Sequence, residues 1–451
     1  MEDTLWFEYV SVLESYTSSA IDTNSNDKDS VVNKLERLKS LTCRDEYRYT
    51  FRHTCFVECQ LNDFVFLSRS AIPVSILSAL LHIVQHEKCA EVLLPCLGVL
   101  RNCYGKNWDV APTTWSSILT TTLDSIKNNV SPELPRDEDA AIIRLSLQFV
   151  GNLLNNRPSV SALIWSHLQT SFETLLTHRD EKISLYSSFV LYGILRISPD
   201  IRGEVTEVKW SCLLARLIDF SRQELNNEFA QFSIQLYFQH HDLIAKVYHQ
   251  QPLTSKLILL NQMLEFVPSN DFDVLNWQFI SQLFVEKSGV ILRTCENNAE
   301  DLEALEVVYL VELLAKGSSE DPCRTQLLKK DQLDIMAIGM LKSMHSLGKS
   351  GSNYFSTAKD YFEPVEEHPC LGLKANLVRL LANLCYRNRA VQDVLRTEDV
   401  MATLLECSNL DPRNVLIKEW SVLAIRNVCE NNQLNQELIK SYQRLGVANT
   451  V

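Results

Sequence analysis

From about residue 31 onward, apolar side chains recur at i, i+3, i+4 and i+7 in successive segments separated by short polar connectors. That spacing gathers the apolar positions on one stripe of a helix, and no alternating strand pattern interrupts it. Residues 1–16 carry the pattern of a short amphipathic helix, and residues 17–30 (TSSAIDTNSNDKDS) read as a polar linker. Two longer breaks follow. Residues 127–139 (KNNVSPELPRDED) hold two prolines and a charge cluster. Residues 345–370 (HSLGKSGSNYFSTAKDYFEPVEEHPC) hold two more prolines and a Lys-Ser-Gly-Ser stretch, and read as a loop long enough to carry function. The expected plan is an N-terminal helix and linker over 1–30, helical repeats over 31–344, the loop 345–370, and further repeats over 371–451.

Four helical segments superpose on one another: LPCLGVLRNCYGKN (94–107), RLSLQFVGNLLNNR (144–157), ANLVRLLANLCYRN (375–388) and EWSVLAIRNVCENN (419–432). Each has an apolar run, an asparagine, two mostly apolar residues and a polar end. The aligned asparagines are Asn102, Asn152, Asn383 and Asn427; the second follows the first by 50 residues and the fourth follows the third by 44. Helical repeats of the armadillo and HEAT type have periods of roughly 40–47 residues. Weaker copies lie at 189–198, with Gly193 in place of the asparagine, at 232–239, with Gln235, and at 307–316 (VVYLVELLAK). The predicted fold is all-α, an armadillo-like helical-repeat superhelix, or α-solenoid. One helical hairpin cannot cover its own apolar face, so stacked neighbours share a core and leave a long groove free.

Positions seven and four before the aligned asparagine, the asparagine, and the one four after fall near a single stripe. In the third copy these are Asn376, Arg379, Asn383 and Arg387; in the fourth, Trp420, Leu423, Asn427 and Asn431; in the second, Leu145, Gln148, Asn152 and Asn156. Amides and guanidiniums stacked in this way suit the backbone of an extended peptide or its acidic side chains. The same asparagines also suit bonds to the main chain of the next turn or the adjacent repeat. Both readings stand at this level. Trp420 likewise reads either as inter-repeat packing or as an anchor.

Composition narrows the function classes. Twelve glycines in 451 residues fall below the usual share of about 7%, which disfavours strand-rich folds and phosphate-cradling loops. The formal charge of −13, with no basic run, argues against nucleic acid and anionic membrane surfaces and leaves basic proteins as tolerated partners. Thirteen cysteines without a regular frame, several in apolar contexts (Cys96, Cys385, Cys429), point to a reducing cytosol. The acidic start MEDTLWFEYV does not read as a secretory signal, and no apolar run is long enough to predict membrane insertion.

No catalytic or cofactor-binding motif is present. His82, His86, Glu87 and Cys89 put two histidines one turn apart, but the glutamate follows the second histidine and no third ligand can be named, so a solvated helix face is expected. Cys55 and Cys59 lack the Cys-x-x-Cys turn. His240 and His241 adjoin a helix end and suit its dipole, and Asp271 and Asp273 read as a helix start.

The C-terminal stretch carries more than a generic repeat. The blocks GLKANLVRLLANLCYRNRAVQD, LLECSNLDPRNVLIKEW and AIRNVCENNQLNQELI, in that order, resemble the C-terminal domain of the ataxin-10 family. The resemblance implies a non-enzymatic cytoplasmic armadillo-repeat scaffold with roles in neurite outgrowth and neuronal survival, cytokinesis at the midbody, and the centrosome and base of the cilium. It implies a perinuclear location as well, partnership with a heterotrimeric G-protein β subunit and the O-linked N-acetylglucosamine (O-GlcNAc) transferase, and self-association as a homo-oligomer. It offers no catalytic residue; Asn383 to Asn388 and Arg426 to Asn432 carry over as structural or contact positions. Two other readings are a client carrier or chaperone, of the nuclear-import or G-protein type, and an activating subunit of a glycosyltransferase.

Overall fold

A computed structural model describes residues 90–102, 112–130, 137–222, 227–267, 271–295, 302–329, 332–350, 353–356 and 370–442, with short helical pieces inside 31–36 and 79–84. The expected N-terminal helix and linker over 1–30 lie outside the described residues. Among the described residues there is no strand. The fold is all-α and of the helical-repeat class.

The chain divides into two compact units, Met1–Ile234 and Gln235–Val451. The first holds α1 (Ala90–Asn102), α2 (Pro112–Asn129), α3 (Asp137–Asn156), α4 (Ser161–Leu168), α5 (Phe172–Leu176), α6 (Glu181–Ile197), α7 (Pro199–Val205) and α8 (Ser211–Arg222). The division falls within α9 (Glu228–Phe238). The second unit continues with α10 (His241–Gln250), α11 (Leu253–Phe266), α12 (Asn276–Lys287), α13 (Leu302–Gly317), α14 (Asp321–Leu327) and α15 (Leu333–Ser350). It ends with α16 (Leu373–Leu384), α17 (Arg389–Thr397), α18 (Met401–Glu406), α19 (Ile417–Cys429) and α20 (Gln433–Ser441).

Within each unit one helix per repeat packs against its counterpart in the next. In the first unit α1 packs on α3 and α3 on α6. In the second, α11, α13, α16 and α19 pack in succession. Their apolar stripes form the core: Leu377, Val378, Leu380, Leu381 and Leu384 of α16 are all buried. Each such aliphatic side chain contributes about 1.5–3 kcal/mol when fully removed from water.

The polar ends of the repeat copies have a local cause. Asn388 accepts from the Val391 N–H at the start of α17 (3.3 Å), and Asn432 accepts from the Asn435 N–H at the start of α20 (3.2 Å). In both copies the residue just before this cap, Arg387 or Asn431, has a positive φ of 52° or 55°. A left-handed residue followed by an asparagine N-cap turns the chain from one helix into the next. Asp273 behaves as its sequence context predicts, accepting from the Leu275 N–H (2.9 Å) just ahead of α12.

Two expectations are corrected here. The loop expected from residue 345 begins later, because α15 runs through Ser350. Leu341 and Met344 keep its stripe buried, and the Asn353 amide donates to the Leu347 carbonyl (2.8 Å), satisfying a helix-end acceptor. His240 and His241 were expected to soften a helix C-terminus, but His241 instead opens α10 and pairs with Asp273 (3.0 Å).

Candidate functional site

The aligned asparagines sit where the repeats meet. The Asn427 side-chain amide donates to the Ala382 carbonyl (2.9 Å), one residue before the aligned Asn383. That of Asn383 donates to the Ala315 carbonyl (3.4 Å) and the Ser318 hydroxyl (3.0 Å). In the first unit that of Asn152 donates to the Arg101 carbonyl (3.5 Å), one residue before Asn102. The side chain of Asn102 lies outside the described residues. The same rung exists where no asparagine stands: Lys316 on α13 donates from Nζ to the Leu264 carbonyl (2.7 Å). Sequence comparison missed Lys316 because it conserves a donor and not a residue type. These rungs fasten the C-terminal half of each inner helix to the preceding one, a bond that lies in the shared interior for Asn427, which is buried.

The remaining stripe positions divide. Arg387 and Asn431 were expected on the helix face, but α16 ends at Leu384 and α19 at Cys429, so both lie in the exposed left-handed turns beyond. Arg387 stacks over Tyr386 (5.1 Å) and Asn431 lends its carbonyl to Arg389 (3.0 Å). Asn376, Arg379 and Trp420 face an open groove. The Arg379 guanidinium lies over the Trp420 ring at 4.9 Å from its centroid. It donates from Nη2 to the Ser319 hydroxyl (3.1 Å), while its buried Nε has no partner. Burial pulls its pKa below the ordinary arginine value, against the opposing pull of Glu312 on α13.

Two hollows occupy this face of the second unit. One, of about 480 Å³, lies beside the starts of α16 and α19, between Asn376, Arg379, Arg413, Val415, Leu416 and Trp420. The other, of about 630 Å³, lies towards the helix ends and includes Asn383, Tyr386, Arg426 and Asn427. Leu416, which opens α19, has φ +67°, a conformation that costs a non-glycine residue of order 1–3 kcal/mol and that leaves its side chain more than half exposed. Arg413 is held in place by donating from Nη1 to the carbonyls of Asn353 (2.8 Å) and Ser356 (3.0 Å). The smaller hollow offers guanidiniums, an indole face, an amide and exposed aliphatics, which suit binding, and the larger one adds the carboxylates of Glu320 and Asp321.

The same stretch of chain is where known proteins match. The family model described as "Spinocerebellar ataxia type 10 protein domain" matches residues 373–451, from the start of α16 onward. Ataxin-10 of Xenopus tropicalis is 28% identical over 335 residues, spanning 71% of this chain and 68% of that protein. Residues 373–451 thus match the ataxin-10 domain, and the similarity to ataxin-10 extends well beyond them. Ataxin-10 of Homo sapiens is 26% identical over 318 residues, spanning 68% of this chain and 66% of its own. The ataxin-10 homolog of Dictyostelium discoideum reaches 44% over 93 residues, 21% of this chain and 15% of that protein. Among solved structures, an engineered protein aligns over 94% of this chain and 98% of its own at 10% identity with a TM-score of 0.41, too loose a match to inform the site.

The other sequence candidates do not join this site. His82 is exposed in the first unit; His86, Glu87, Cys89, Cys55 and Cys59 lie outside the described residues. Cys96 and Cys385 are buried as expected, whereas Cys429 is half-buried. No helix among the described residues is long and apolar enough to cross a membrane.

Proposed function

We propose that this ataxin-10 relative is a non-enzymatic scaffold that binds other polypeptides along the groove of α13, α16 and α19. One observation carries the reading. The asparagine amides of the stripe are spent on holding repeats together, while Arg379, Trp420 and Asn376 on the same stripe remain on the open face. A half-exposed arginine stacked on a tryptophan is the kind of rigid, amphipathic anchor that dominates binding energy in protein interfaces.

The family relationship supports the finer reading: a cytoplasmic scaffold acting in neurite outgrowth, cytokinesis and at the cilium base. A G-protein β subunit and the O-GlcNAc transferase are its candidate partners, and self-association its candidate assembly. Cross-linking mass spectrometry of the full chain in cell extract tests the surface. Cross-links from partners are expected to fall on α16 and α19, and the Arg379→Glu, Trp420→Ala double variant is expected to lose them. A folded double variant that keeps every partner sinks the groove reading.

A further inference from the structure

We propose that the hollow beside the starts of α16 and α19 takes an acidic segment of a partner polypeptide, with one carboxylate on Arg379 and a neighbouring apolar side chain against Val415 and Leu416. This rests on the protein-binding reading above and names the chemistry of the partner.

The two charged side chains lining this hollow are Arg379 and Arg413. Neither has an ion-pair partner among the described residues, in a chain whose formal charge is −13. Nearby acids are engaged elsewhere or held off. Asp411 turns its carboxylate to the Arg413 main-chain N–H (3.1 Å) and the Asn414 amide (2.8 Å), and Glu312 pulls on Arg379 from beyond salt-bridge distance, leaving the guanidinium fork open on the groove side. The Arg379 guanidinium rests over the Trp420 ring, and the bond to the Ser319 hydroxyl uses one of its five N–H donors. A planar fork held in this way matches the two oxygens of a carboxylate.

The aliphatic rim distinguishes a peptide from a small anion. Val415 is 73% and Leu416 55% exposed, next to the guanidiniums, and a lone phosphate would leave both in water. The Asn376 amide, half-buried at the same wall, is placed to bond a peptide backbone. Because the chain as a whole is acidic, an acidic segment is repelled over much of the surface and drawn to this hollow, which confers selectivity.

Fluorescence anisotropy with the full chain and a fluorescein-labelled Asp-Glu-Leu-Leu-Asp-Glu peptide tests the proposal. Saturable binding is expected, at least tenfold tighter than for the Lys-Lys-Leu-Leu-Lys-Lys counterpart, and weakening as salt rises. Arg379→Glu is expected to weaken it at least tenfold. Val415→Glu, which sets a carboxylate at the exposed rim without touching the core, is expected to do the same with an unchanged melting temperature. Failure of the acidic peptide to bind, equal binding by both variants, or displacement by millimolar inorganic phosphate overturns the proposal. Binding of the lysine peptide in its place, lost in Trp420→Ala, overturns the acidic class but leaves the groove reading standing. Partner cross-links that avoid α16 and α19 remove both.

Discussion

Asn427 and Asn376 are the same residue type on neighbouring inner helices, yet they do different work. Asn427 is 5% exposed, its side-chain amide donating to the Ala382 carbonyl while its main-chain carbonyl accepts from Gln392 Nε2 (2.9 Å). Asn376 is half-buried at the wall of the groove. Replacing Asn427 with alanine removes the donor and leaves the buried Ala382 carbonyl with only the weak Cys385 thiol (3.4 Å), so Asn427→Ala is expected to cost about 1–3 kcal/mol of unfolding free energy. Asn376→Ala is expected to stay within about 0.5 kcal/mol, as surface changes usually do. Guanidinium denaturation of both variants checks the pair; equal costs would mean that the ladder is not what holds these repeats.

At the scale of an element, α13 shows how closely helices must approach. A Cβ built on Gly317 would lie 2.2–2.5 Å from the six-membered ring of Trp277, which is itself 1% exposed. The buried indole has no room to retreat. Gly317→Ala is therefore expected to destabilise by about 1–3 kcal/mol through overpacking, even though alanine is normally the better helix residue by up to about 1 kcal/mol. A lowered melting temperature measures it, and a raised one would show that the end of α13 can shift. A second element, the short turn 353–356, is fastened to the same unit. Phe355 is buried, its carbonyl accepts from the buried Lys374 Nζ (2.9 Å), and Gly348 lies against its main chain.

For the molecule as a whole, the buried thiols set an alkaline limit. Burial pushes the pKa of Cys385 up to about 12 and that of Cys407 up to about 11, and raises that of Cys96 as well. In the unfolded chain these thiols ionise near their ordinary value of 9.0. Below pH 9 both states keep the proton and stability is flat in this respect. From pH 9 to 11 the unfolded state alone releases protons, so stability falls, by up to about 1.4 kcal/mol per pH unit for each fully protected thiol. Burial of Tyr192 and Tyr248 raises their pKa and adds to the fall. Lys374, whose pKa burial lowers, works the other way, since the unfolded state holds that proton more tightly. The raised thiols and phenols outnumber it. Unfolding free energies measured from neutrality to pH 11 are expected to decline above pH 9, and a rising profile would refute the burial of the thiols.

Helix class, repeat spacing and family resemblance were legible in the one-dimensional pattern, because each depends on which residues follow one another at helical intervals. The four asparagine segments stood out for the same reason, and the caps at Asn388 and Asn432 are local consequences of their own turns. Which asparagines fasten repeats and which positions face the groove depended on where each helix stops and which helix lies beside it, as the bonds from Asn427 to Ala382 and from Asn383 to Ala315 show. Arg387 and Asn431 left the stripe for that reason, and Lys316 joined the ladder because a carbonyl 52 residues earlier needs a donor of any kind. The pairing of Arg379 with Trp420, 41 positions apart, exists only once α16 lies beside α19. A spacing rule reports neighbours along one helix; the groove is made of neighbours across two, and only packing brings those together.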